Sequence, residues 1–190
     1  MFMKLKKIGK MQDTILIGMM GGLIGTICME LSNTLIYKAK KTEVTYPQIT
    51  AQFLFSPKRV NRNENYILGE MLHLGVGTFF GLPLMLILKL TGKDHYLSKG
   101  FLSGMCTWGI LYAGGQKIGL FKRPLKSKTH YSAMWNNALF GLASAQAIVT
   151  LADPRIFASK HTLDRQSIEK PRTDYHATED IHQEKQAIYH

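Results

Sequence analysis

Cysteine is nearly absent from this chain, with Cys28 and Cys106 the only two in 190 residues. Both fall inside apolar stretches and read as small buried hydrophobes, so a disulfide framework is excluded as the organising device. The short motifs of soluble catalysis are missing too. There is no Walker A sequence, no nucleophile elbow, no dinucleotide fingerprint after a strand and no zinc-type cysteine spacing. No removable leader is expected, because the first apolar stretch resumes through Leu35 and Ile36 without a small-residue cleavage site.

The scarcity that decides most is that of charge, which all but vanishes from residues 14–37, 67–90, 98–119 and 132–152. A bilayer core about 30 Å thick takes roughly 20 helical residues per crossing, and each stretch is long enough. The pattern predicts an all-α integral membrane protein with a four-helix bundle over residues 14–152. A basic juxtamembrane leader precedes it over 1–13. A polar C-terminal tail follows over 153–190, where large aliphatics are few and disorder is expected.

What charge there is sits between the stretches. Residues 1–152 carry 18 Lys and Arg against six acids, whereas the tail holds six bases against seven acids. A net charge of +11 would suggest nucleic acid, but bases flanking apolar spans fit the anionic headgroups of a bilayer, and nucleic acid is not expected as a partner. The lysine-dense leader (Lys4, Lys6, Lys7, Lys10) favours a plasma-membrane protein with both termini in the cytoplasm, although the two faces carry nearly equal numbers of bases.

Local signals add detail. Asp13 and Thr14 offer an N-cap for the first helix, which closes at Lys38, Lys40 and Lys41. The long connection 42–65 contains an apolar run from Ile49 to Phe55, bounded by Pro47 and Pro57 and too short to span, which predicts a short interfacial helix. Pro83 predicts a kink in the second helix, and Gly92 a tight turn after it. Small residues recur at spacing four: Gly18/Gly22 and Gly21/Gly25 on the first helix, Gly77/Gly81 on the second, Gly100/Gly104 and Gly115/Gly119 on the third, and Gly141/Ala145 and Ala143/Ala147 on the fourth. Such faces let membrane helices approach closely, within one chain or between copies in a homo-oligomer.

Ionisable groups inside a bilayer are costly and mark either buried partners or function. The candidates are Glu30 and Asn33 on the first helix, Glu70 and His73 on the second, and Asn136 and Asn137 on the fourth. Each of the first two pairs is spaced i,i+3 and shares one helix face. Glu70-Met71-Leu72-His73 has the ligand spacing of di-metal carboxylate sites, but such sites use the motif twice with two further carboxylates. Half of that set is missing, so no metal or cofactor is expected. The remaining readings are a polar path through the bundle or mutual hydrogen bonding near the helix ends. The four tail histidines are too scattered for a metal site.

The layout resembles that of the YagU-type small bacterial inner-membrane proteins. The resemblance rests on the glycine-rich first helix from Gly18 to Gly25, the long polar connection, and a second helix with an early His73 followed by Gly75, Gly77, Phe79 and Phe80. It covers residues 14–152 and departs at Asn136-Asn137, where the pattern has a histidine. It implies a multi-span bacterial membrane protein and little more. The expected function is that of a non-enzymatic membrane component acting through partners or self-association. The alternative is a small oligomeric channel or transporter subunit using Glu30, Glu70 and His73.

Overall fold

The structure is a computed structural model, and it describes residues 10–157. The expected leader (apart from its last residues, from Lys10 on) and nearly all of the expected tail, including its four histidines, lie outside the described residues. The described chain folds into helices joined by turns and loops, and its one β contact among the described residues is an isolated parallel bridge between Met11 and Ala152.

Helix α1 (Thr14–Lys38) starts where the Asp13 carboxylate accepts hydrogen bonds from Ile15 N at 2.9 Å and Leu16 N at 3.1 Å. That satisfies two of the amides a helix start leaves open. A short helix, α2 (Tyr46–Ala51), follows, with Gln48 Oε1 accepting from Thr45 N at 2.9 Å. Helix α3 (Asn63–Thr91) runs through Pro83 without interruption and ends on Gly92, whose φ of 80° is open to glycine at little cost. The next stretch is one helical rod of changing pitch: α4 (Tyr96–Thr107), a π-helical segment (Trp108–Gly114) and the single turn α5 (Gly115–Lys117). Helix α6 (Ser127–Leu151) closes the bundle.

Two helices, α1 and α3, are long and apolar enough to cross a membrane. α1, α3 and α6 outrun the apolar runs read from sequence, because helix continues into the polar flanks, while the third stretch is shifted two residues earlier, to Tyr96–Lys117. α3 begins four residues before Ile67 and α6 five residues before Ser132. The apolar run Ile49 to Phe55 also behaves differently from expectation. Helix starts earlier, at Tyr46, takes Pro47 into its first turn, and is buried along most of its length rather than lying on the surface. It docks on α3, where the Thr50 hydroxyl donates to the Gly69 carbonyl at 2.6 Å.

α1 packs against both α3 and α6, and α6 packs against α4, whereas α3 and α4, neighbours in sequence, touch little. At the α1–α3 crossing Gly22 lies against the backbone of Gly77, Thr78 and Gly81, and Gly18 against Leu82 and Met85. Gly100 and Gly104 face Gly141 and the Asn137 carbonyl in the same way, while Gly25 abuts Ser144 and Phe140. Gly115 faces the Phe121 ring. Gly119 corrects the expectation of a packing role. It has open space around it and a φ of 75°, so it serves to turn the chain.

Two apolar clusters fill the bundle. At the end holding the start of α1, Ile17, Leu84, Met85, Leu88, Ala145 and Ile148 are all fully buried. Toward the other end lie Met29, Tyr46, Ile49, Tyr112, Phe121 and Phe140. The backbone closes the first end, with Met11 N donating to Leu151 O at 3.0 Å and Asp153 N to Met11 O at 2.9 Å.

The crossing geometry has a direct test. Gly22→Leu forces a side chain into facing backbone and is expected to cost about 1–3 kcal/mol or more. Gly75→Ala, at a helical position with nothing nearby, should instead stabilise by up to about 1 kcal/mol. Thermal unfolding of both purified variants followed by circular dichroism checks the contrast, and equal transitions would contradict the crossing.

Candidate functional site

The polar residues of α1 and α3 meet. His73 Nδ1 lies 2.9 Å from Glu30 Oε2, with the two side chains 9% and 15% exposed. Neither atom has another partner among the described residues. On its other side the His73 ring stacks on Tyr46, with centroids 4.8 Å apart and planes 4° from parallel. Tyr46 is held there because α2 is pressed onto α3 at Gly69, whose missing side chain admits the Pro47 carbonyl.

From Tyr46 the network runs on into α6. The phenol oxygen accepts from Asn137 Nδ2 at 3.4 Å and its O–H points to the Ala133 carbonyl at 3.5 Å. Asn137 Nδ2 also donates to the Ala133 carbonyl at 2.8 Å. One residue earlier, Asn136 is fully buried. Its Oδ1 accepts from the Ser32 hydroxyl at 2.7 Å, and its Nδ2 donates to Asn33 Oδ1 at 3.2 Å. Of the six polar residues singled out by sequence, Glu30, Asn33, His73, Asn136 and Asn137 thus join one buried region between α1, α2, α3 and α6. Glu70 is the exception. It is half-buried one turn from His73 and makes no hydrogen bond or ion pair with any described residue.

Beside this network is a cavity of about 110 Å³ with largely apolar walls, formed by Tyr46, Ile49, His73, Val76, Thr107 and Phe140 among others. His73 and Asn137 are the polar groups with nitrogen at its wall. His73 Nε2 has no hydrogen-bond partner among the described residues, which leaves the ring one unused nitrogen at a small, mostly apolar chamber. Among the described residues no three His, Cys, Asp or Glu side chains come together as a metal site would require.

Tyr112, from the π-helical segment, forms the cavity wall nearest the loops. Its O–H lies 3.2 Å from His130 Nδ1, while His130 Nε2 lies 3.2 Å from the Pro124 carbonyl. A carbonyl only accepts, so Nε2 carries the hydrogen, Nδ1 accepts, and Tyr112 donates. The loop preceding α6 is tied down by Glu43, whose Oε2 accepts from Leu125 N and Lys126 N at 2.9 Å each. In return the Glu43 amide donates to the Thr129 hydroxyl at 3.2 Å. This is a helix cap delivered from a distant loop. The hydrogen bond from the Lys126 amide is the main reason the Glu43 carboxyl is held below its ordinary value.

Sequence reading missed Tyr46, Tyr112, His130 and Glu43. Each acts through a partner about 20 or more residues away in sequence, except the Tyr112–His130 link, which spans 18. Comparisons with protein-family profiles, with curated proteins and with solved structures found no match.

Two outcomes follow from these bonds. Asn136→Ala leaves Asn33 and Ser32 without a partner in a closed interior and should cost about 1–3 kcal/mol, read as a lowered denaturation midpoint. An unchanged midpoint would deny the network its role. Glu43 has a folded pKa below its unfolded one, so its stabilisation is present above the unfolded value of about 4.5 and fades as pH falls through the folded value. The stability gap between wild type and Glu43→Gln should therefore narrow between pH 6 and pH 3, and a gap independent of pH would contradict the capping role.

Proposed function

We propose that the chain is a multi-pass membrane protein crossing the bilayer four times, and that it acts without catalysis by holding a small, largely apolar ligand in the cavity beside His73 and Glu30. The observation that carries this reading is the buried acid–histidine pair placed at the wall of a chamber. Burying such groups is costly unless they are paired, and a pair serving only to join two helices has no need of a cavity at its side.

The four-span reading has three supports. Large apolar side chains are exposed on every long helical stretch: Leu31 and Leu35 on α1, Phe79 and Leu90 on α3, Phe101 and Leu102 on α4, Tyr131 and Trp135 on α6. α6 is the least apolar of these because it is the most enclosed, and its Asn136, Asn137, Ser132 and Ser144 all turn inward. The backbone bonds between Met11 and the end of α6 bring both ends of the bundle to one face, as an even number of crossings requires. We place that face in the cytoplasm and the flanking bases against anionic headgroups.

Transport through one protomer is the less favoured reading. The packed layer of Ile17, Leu84, Met85, Leu88 and Ile148, each fully buried, closes the bundle on the side away from the polar cluster. A polar route that ends there suits binding better than conduction.

Photolabelling with the small apolar probe trifluoromethylphenyl diazirine in membranes tests the binding role. Label is expected on the cavity residues Ile49 and Phe140 as well as on lipid-facing positions. Val76→Phe, which fills the cavity, should remove the first set and spare the second. Label confined to lipid-facing residues would overturn the ligand-binding role, and release of the full chain by an alkaline carbonate wash would overturn the four-span claim.

A further inference from the structure

The cavity has neighbours on two sides, and together they define a more specific ligand. Past Tyr112 lies a groove at the loop end of the bundle, lined also by Trp108, Gln116, Lys117, Arg123 and His130. Tyr112 belongs to both walls, so its ring is the partition between groove and cavity. Phe80 and Thr107 belong in the same way to the cavity and to an apolar cleft between α3 and α4, with Pro83, Ile87, Leu102 and Ile110 along it. This is a seam where two successive helices touch little. In a bilayer it opens toward lipid tails.

The chemistry of the three compartments is graded. The cavity is largely apolar, and so is the cleft apart from Lys99, whose ammonium is bonded to the Thr91 and Gly92 carbonyls, while the groove offers two cations. Lys117 and Arg123 are exposed, and neither forms an ion pair among the described residues. The nearby acid, Glu43, is already committed to the amides of Leu125 and Lys126. Trp108, a residue of the groove wall, also carries an idle donor: its Nε1 is sealed from solvent and has no hydrogen-bond partner among the described residues, so reaching it takes a turn of the indole. A buried indole N–H in that state calls for an acceptor, and an oxygen-bearing anionic group on Lys117 and Arg123 would bring one.

The π-helical turn creates this arrangement. It carries Trp108, Leu111 and Tyr112, so one irregular segment supplies the unpaired donor, part of the cavity wall and the partition. Such turns recur at functional sites because the widened backbone re-aims side chains. At about 110 Å³ the cavity is of the order that takes one small apolar group, not two chains side by side.

We infer that the protein binds a single-chain anionic amphiphile, its head group on Lys117, Arg123 and the Trp108 N–H and its chain passing the Tyr112 partition into the cavity and out through the α3–α4 cleft. This rests on the ligand-binding reading above and gives it a chemical class. The head group chemistry, an anionic oxygen cluster, is shared by carboxylates and phosphate monoesters.

The chain holds two tryptophans, Trp108 and Trp135, so full-length Trp135→Phe in a neutral detergent makes Trp108 the only indole reporter. Bromine quenches indole fluorescence on close approach, and three brominated single-chain probes serve: dibromostearate, a brominated lysophosphatidate and a brominated lysophosphatidylcholine. Saturable quenching by either anionic probe, with apparent affinity falling about tenfold or more in Lys117→Gln/Arg123→Gln, supports the inference, and the tighter of the two identifies the head group. Retention of the thermal transition in the double variant shows that it has folded. Equal quenching by the choline probe, or quenching indifferent to the two cations, overturns the inference. If the apolar diazirine still labels the cavity in that case, the ligand-binding role survives without its anionic class, and if it does not, both fall.

Discussion

The close approach of α1 to α3 is the constraint on which the site depends. Gly22 lies against Gly77 and Gly81 with no side chain between them. From Gly22 to Glu30 is eight residues along α1, and from Gly81 back to His73 is eight residues along the antiparallel α3. Both steps climb roughly 12 Å at 1.5 Å per residue, so the two ionisable groups arrive at the same height. Thr26 sits midway, its hydroxyl donating to the Gly22 carbonyl at 2.7 Å, and it lies against Gly77. With larger residues at the crossing the helix axes would separate, and the 2.9 Å contact between His73 and Glu30 would be lost.

The polar network works as a second fastening, adding interhelical hydrogen bonds to the close packing at the glycines. Asn136 bridges to both Ser32 and Asn33 on α1, while Asn137 and Tyr46 join α6 to α2. α2 therefore does more than fill the gap between α1 and α3. It carries the aromatic ring that covers His73, and it is held by a hydroxyl bond to Gly69, four residues before His73. Histidine, acid and tyrosine come from three different helices, and each is positioned by a contact that glycine makes room for.

Much of this was legible in the amino-acid order, and the remainder was not, for identifiable reasons. Length and hydropathy revealed α1 and α3 because those helices expose apolar faces along their whole extent. The i,i+3 pairs Glu30/Asn33 and Glu70/His73 marked the right helix faces, since spacing within a helix is a local property. The same spacing cannot say which member of a pair turns inward, and of Glu70 and His73 it is His73 that does. Gly119 fits the small-residue spacing, but its left-handed backbone angle, which spacing does not reveal, makes it a turn. The cap on α6 could not be seen at all, as Glu43 supplies it from more than 80 residues away. The π-helical turn and the burial of Tyr46 belong to the same class, settled by tertiary packing and not by any local preference.

The two halves of the bundle differ in a way that bears on how the site works. Around Ile17, Leu84, Met85 and Ile148 the interior is filled, and the Met11–Ala152 bridge ties the ends together. Around His73 the interior holds a cavity, an unpaired indole N–H and a helix segment wound into wider turns. Local opening in proteins is drawn from regions with few buried contacts and weak backbone bonding, so motion is expected in the second half while the first stays rigid. Between groove and cavity stands the Tyr112 ring, packed against Phe121 and Trp108 and tied to His130 by one hydrogen bond of 3.2 Å. A neutral pair of that kind contributes about 1 kcal/mol, small enough for an incoming acceptor to displace it.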